Sequence, residues 1–183
     1  MNANYSAETK PHSVSSEAGV TPSQPGSFQL RRILVPVDFS ASSKKALQYA
    51  AGFSAAFAPE IHLLHVVQVF TVPPELGYMP PELPNSQQEL VAAARSELEK
   101  LCPRDASADG RFQISVRAGV PWQEIADAAR ETDADLIILA THGHTGLKHV
   151  LLGSIAERVV RYAPCPVLIV RERERDFIAQ GKV

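Results

Sequence analysis

An open α/β sheet of five parallel strands in the order 3-2-1-4-5, with helices on both faces, is the fold that this sequence of 183 residues predicts. Three observations lead there. Short apolar runs alternate with stretches of helical periodicity in a βαβαβαβαβ series, as parallel strands joined by right-handed helical crossovers do. Runs such as Leu136-Ile137-Ile138-Leu139-Ala140 are apolar at consecutive positions, which suits strands buried on both faces. Finally, ligand-type residues follow the first strand, at Asp38-Phe39-Ser40, and the fourth, at Thr141-His142-Gly143. The two ends can share one site only if strands 1 and 4 are neighbours, which that order provides.

The elements follow in chain order. Arg31 to Val37 is the first apolar run, and Ser40 caps a helix with Ala46, Leu47, Ala50, Ala51, Ser54 and Phe57 on one face. Ile61 to Val69 lacks helical periodicity and reads as the second strand. Between Phe70 and Asn85 five prolines, at 73, 74, 80, 81 and 84, forbid regular structure and make a long loop. Glu89 to Leu101 places Leu90, Val91, Ala94, Leu98 and Leu101 at helical spacing. Phe112 to Arg117 alternates apolar and polar residues as the third strand, with Gly119 as a turn or pocket residue after it. Pro121 then opens a helix bearing Trp122, Ile125, Ala126 and Ala129.

The segment from 135 to 170 carries the chemistry. It is a buried strand, a glycine-bearing loop, a helix and a last strand ending in Pro166-Val167-Leu168-Ile169-Val170. Gly143 and Gly146 permit the positive φ and close approach that let loop N–H groups converge on an anion. Ser154-x-x-Glu157 reads as a capping box, so the positive end of the last helix faces the same region. The same pattern is also compatible with ordinary turn glycines and a plain cap.

Composition bounds the alternatives. With 18 basic and 20 acidic residues the net charge is −2, so nucleic acid is not an implied partner. Cys102 and Cys165 lie far apart without C-x-x-C spacing, which argues against a zinc site or disulfide framework and suits a reducing compartment. No segment has the length of apolar residues that spans a bilayer, and the expectation is a soluble, cytoplasmic protein without a membrane partner. Residues 1–28 are rich in small and polar residues and are expected to be disordered. The folded unit is expected over 29–173, with 174–183 as a short C-terminal tail.

The chain resembles the universal stress protein family, in its ATP-binding subgroup. The resemblance rests on Ile33-Leu34-Val35-Pro36-Val37-Asp38-Phe39-Ser40, Leu63-Leu64-His65-Val66, Gly119-Val120-Pro121 and the segment ending at Ile169-Val170. The family's nucleotide motif is Gly, two residues, Gly, nine residues, Gly, then Ser or Thr. Gly143, residues 144–152, Gly153 and Ser154 match it, while Ala140 stands in place of the first glycine. The resemblance implies an adenine nucleotide alpha hydrolase-like fold and ATP as ligand, with or without Mg2+. It implies cofactor contacts from Pro36, Val37, Asp38, Val66, Ala140, His142, Gly143, Gly153, Ser154 and Ile155. Val66 would meet adenine through its main chain, and Asp38 would bond the ribose or the phosphate and metal region, its simpler role being to help cap the first helix. The last strand, Pro166 to Val170, would pair across a two-fold axis in a homodimer.

Three functional classes are carried forward. The first is an ATP-binding regulatory protein, a nucleotide-responsive sensor or adaptor with little or no hydrolysis. A second is an interaction module that does not use nucleotide, for which Ala140 is the support. The third is a weak ATPase. No Walker loop and no evident nucleophile–base pair is present, so no catalytic residue is assigned. His142, His144 and His149 have poor spacing for a closed metal site, and no metal ligand is assigned either. Lys148, in the same segment, is compatible with lending charge to a triphosphate or with an ordinary surface lysine.

Overall fold

Strand β1 (Arg32–Pro36) runs through the middle of a sheet of five strands ordered β3-β2-β1-β4-β5, the order that a shared site at the ends of β1 and β4 requires. The computed structural model describes residues 29–68, 86–102, 111–141, 152–171 and Arg175. The expectations for residues 1–28, the proline-rich stretch and the C-terminal tail fall largely outside these, as do those for His142, Gly143, His144, Gly146, Lys148 and His149.

β1 pairs in parallel with β2 (Glu60–Gln68) and with β4 (Leu136–Ala140), β2 with β3 (Phe112–Gly119), and β4 with β5 (Val167–Val170). Period-two alternation sorts the strand side chains into two cores. Ile33, Val35, Ile61 and Leu63 pack with Ala46, Tyr49, Ala50 and Leu98, from helices α1 (Ala41–Phe57) and α2 (Ser86–Leu101). Leu34, Leu64, Ile137 and Leu139 pack with Ile125, Ala128, Ala129, Ala156 and Val159, from α3 (Pro121–Glu131) and α4 (Ser154–Tyr162). Helices therefore cover both faces. Among the described residues no helix is long and apolar enough to cross a membrane.

Local chemistry explains most boundaries. Ser40 is the N-cap of α1, its Oγ accepting the Ser43 N–H at 3.1 Å. Pro121 sits at the start of α3, where its missing N–H costs nothing. Two expectations need correction in extent. Helix α2 begins at Ser86 rather than Glu89, because Gln87 and Gln88 are exposed and carry no apolar mark of helical periodicity. β3 continues past Arg117 to Gly119, which pairs with Gln68 and so lies in the strand rather than in a turn.

A third correction concerns α4. Gly153, not Ser154, is its N-cap, and no side-chain capping bond is present, so Ser154-x-x-Glu157 does not form a capping box. Ser154 is the first helical residue, and Glu157 donates its main-chain N–H to the Gly153 carbonyl at 2.9 Å.

Candidate functional site

Where β1 and β4 end side by side, their chains leave the sheet toward opposite faces, and a cleft of about 290 Å³ opens beyond their carboxyl ends. One wall is Pro36, Val37 and Asp38 with His65, Val66 and Gln68 of β2. The other is Leu139, Ala140 and Thr141 with Gly153, Ser154, Ile155 and Ala156 at the start of α4, while Ser43, Pro121 and Ile125 complete the lining. Eight of the ten residues singled out from the sequence line this cleft; the remaining two, His142 and Gly143, lie outside the described residues.

Asp38 serves two elements. Its Oδ1 accepts the Ser40 N–H at 3.1 Å and the Ser40 hydroxyl at 2.6 Å, while Ser40 in turn caps α1. The carboxylate that lines the cleft thus also orients the cap, so the two readings of Asp38 are compatible. Phe39, between them, has φ 66°, in the left-handed region that a bulky side chain rarely occupies. That turn sets the Phe39 ring against His65, with centroids 4.6 Å apart, and the His65 Nδ1–H donates to the Val37 carbonyl at 2.7 Å.

The far wall is held by main-chain contacts. Thr141 donates its N–H to the Val170 carbonyl and accepts the Gly153 N–H on its own carbonyl, each at 3.0 Å. Gly153 has φ −67°, so positive φ is not why glycine stands there. A Cβ on Gly153 would lie 2.6 Å from the Thr141 oxygen, and close approach is the reason. Ala140 belongs to β4 opposite Val170 and is not among the residues with positive φ, so its methyl costs no backbone strain.

At the start of α4 the first N–H groups lack intrahelical acceptors by helix geometry, and among the described residues no side-chain capping bond meets them. With Ser154, Ile155 and Ala156 lining the cleft, that helix end presents amide donors and a partial positive charge to whatever enters. Apolar walls from Pro36, Val37, Leu139 and Ile125, the Asp38 carboxylate beside them and amide donors at the start of α4 suit a ligand with a flat ring, a polar middle and an anionic tail.

Thr141, marked in the sequence as a ligand-type residue, also lines the cleft, and Ser43, His65, Gln68, Pro121, Ile125, Leu139 and Ala156 do so without having been singled out. Signals for some existed: Ser43 is one turn into the capped helix, and Pro121 and Ile125 share a face by their spacing of four. Nothing in the residue types marked His65.

Comparison with known proteins agrees with this architecture. The family model described as the universal stress protein family matches residues 29–171. Universal stress protein MJ0531 of Methanocaldococcus jannaschii is 33% identical over 147 residues, covering 80% of this chain and 85% of its own. Among solved structures, hypothetical protein MJ0577, from the same organism, superposes with TM-score 0.66 at 30% identity, covering 81% of this chain and 100% of its own. Universal stress protein UspA from Lactobacillus plantarum superposes with TM-score 0.64 at 25% identity, covering 79% and 99%.

Proposed function

The chain belongs to the universal stress protein family, and from that premise we propose that it is an ATP-binding regulatory protein of the stress response. It acts in the cytoplasm as a nucleotide-responsive homodimeric sensor or adaptor, with little or no hydrolysis. The observation that carries this reading is the cleft itself: Val66, toward the end of β2, and Ser154, the first residue of α4, line one cavity.

Adenosine lies between Pro36, Val37 and Ile125, its base toward Val66 and its ribose near Asp38. The phosphates extend to Gly153, Ser154 and Ile155, with His142 and Gly143 as further contacts. Where Mg2+ comes with the triphosphate, Asp38 would hold it, since a carboxylate oxygen is the hard donor that such an ion prefers. Asp38 is already engaged by Ser40, which supports binding over water activation.

The edge position of β5 supports assembly. Pairing of Pro166 to Val170 with a second copy would cover an apolar strand edge on which, among the described residues, no further strand pairs.

Titration calorimetry with ATP tests the binding reading, with Ser154→Ala as the paired variant. Wild type is expected to saturate below millimolar ATP, and Ser154→Ala to bind about tenfold more weakly through loss of a charge-assisted hydrogen bond. Because Ser154 caps nothing, unfolding stability should change by under ~0.5 kcal/mol. No saturable binding by wild type would end the proposal.

A further inference from the structure

We infer that His65 is a positioning residue of the cleft: its imidazole takes the Val37 carbonyl and thereby holds the Val66 N–H open to the ligand. The inference deepens the nucleotide reading and rests on it for the identity of the ligand.

Main-chain groups of a parallel strand point alternately to its two neighbours. On β2, Glu60 donates to the Arg31 carbonyl and Leu64 accepts from Val37, whereas Ile61 donates to the Arg111 carbonyl on the β3 side. Residues 60 and 64 therefore address β1, and Val66, two further on, does the same. The register of β1 with β2 stops at Pro36 opposite Leu64, followed by the Val37 N–H on the Leu64 carbonyl at 2.8 Å. One more step of the ladder would place the Val66 N–H on the Val37 carbonyl.

The imidazole occupies that carbonyl instead, at 2.7 Å. A carbonyl only accepts, so Nδ1 carries the proton. The ring is kept in place by Phe39, whose left-handed backbone turns its side chain onto the imidazole at 4.6 Å between centroids. Val66 lines the cleft, and its N–H is left directed past the end of β1. A side chain thus ends the β-ladder one bond early, and a main-chain donor becomes available to a planar acceptor such as a purine ring nitrogen.

The test begins without ligand. Amide hydrogen exchange of the wild-type chain is expected to show Val66 exchanging at least about 100-fold faster than Leu64, its paired neighbour on the same side of the strand. In His65→Phe, which keeps the stack but not the donor, the ladder closes onto Val37 and Val66 exchange slows about tenfold or more. His65→Asn, which retains an N–H donor, restores fast exchange. A wild-type Val66 amide as protected as Leu64, or identical exchange in wild type and His65→Phe, would overturn the inference.

The second arm uses ATP and inorganic tripolyphosphate as probes. His65→Phe should weaken ATP about tenfold while tripolyphosphate moves less than about twofold, with His65→Asn recovering ATP affinity. A merely structural role would weaken both probes alike, and that result would also overturn it. If wild type binds no ATP, the nucleotide reading fails, and the exchange pattern alone decides whether His65 opens the Val66 amide.

Discussion

Replacing Gly153 by alanine adds one methyl at the point where α4 meets the end of β4, and the structure sets the size of the effect. The new Cβ would sit 2.6 Å from the Thr141 carbonyl oxygen, well inside van der Waals contact. The oxygen has no room to retreat cheaply, since the same carbonyl accepts the Gly153 N–H at 3.0 Å and the Thr141 N–H is bonded to Val170. Overpacking of this kind costs ~1–3 kcal/mol, and weakening the hydrogen bond costs about 1 more. Against this, alanine accepts φ −67° without strain and narrows the unfolded ensemble, which returns ~0.4–1 kcal/mol. The net expectation is a loss of about 2 kcal/mol, measured by urea unfolding followed by circular dichroism. ATP affinity should fall by about tenfold or more as the first turn of α4 moves away from the cleft. An unfolding midpoint equal to or above wild type, with unchanged ATP affinity, would refute the claim that close approach is what requires glycine.

Three other expectations follow from the same contacts. Ser40→Ala removes the acceptor for the Ser43 N–H and the hydroxyl that binds Asp38, and should cost about 1 kcal/mol in urea unfolding; no loss would mean the cap is not formed. His62 is held below its usual value of 6.5 by burial and then by the Arg117 guanidinium. At pH well above 6.5 both folded and unfolded forms are neutral there, so its contribution to stability is full. As pH falls below 6.5 the unfolded chain takes up the proton first, so stability declines until the folded imidazole also titrates. Urea midpoints at pH 7.5 and 5.5, as about one unit either side of 6.5, should therefore separate more for wild type than for His62→Gln, and equal separations would contradict this. For assembly, the Pro166 and Val170 carbonyls face β4, so the Ile169 N–H faces the open edge of the sheet. Ile169→Pro should shift the sedimentation coefficient from dimer to monomer while keeping the circular dichroism spectrum, and a persisting dimer would move the interface elsewhere.

The sheet was legible because burial on two faces writes itself into consecutive apolar residues, as at Leu136 to Ala140, and because Ser40 and Pro121 are chemically suited to begin helices. Strand order was legible from chemistry rather than periodicity, since a site shared by the ends at Asp38 and Thr141 requires β1 and β4 to be neighbours. The start of α4 was misread by one residue: which of Gly153 and Ser154 is the cap depends on backbone dihedrals and on the approach to Thr141, neither of which residue types reveal. The role of His65 was invisible for a related reason. A histidine within an apolar run looks like any half-buried strand residue until a left-handed Phe39 and the Val37 carbonyl are brought to it by the fold.

The central claim, that this cleft takes ATP with its base at Val66 and its phosphates at α4, is tested most directly by titrating the isotope-labelled chain with ATP and following its backbone amide resonances. Saturable shifts should concentrate at Val37, Val66, Ser154, Ile155 and Ala156, with residues at the opposite end of the sheet, such as Ile33 and Ile61, unmoved. No saturable shift up to millimolar ATP, or shifts centred away from these amides, would contradict the account.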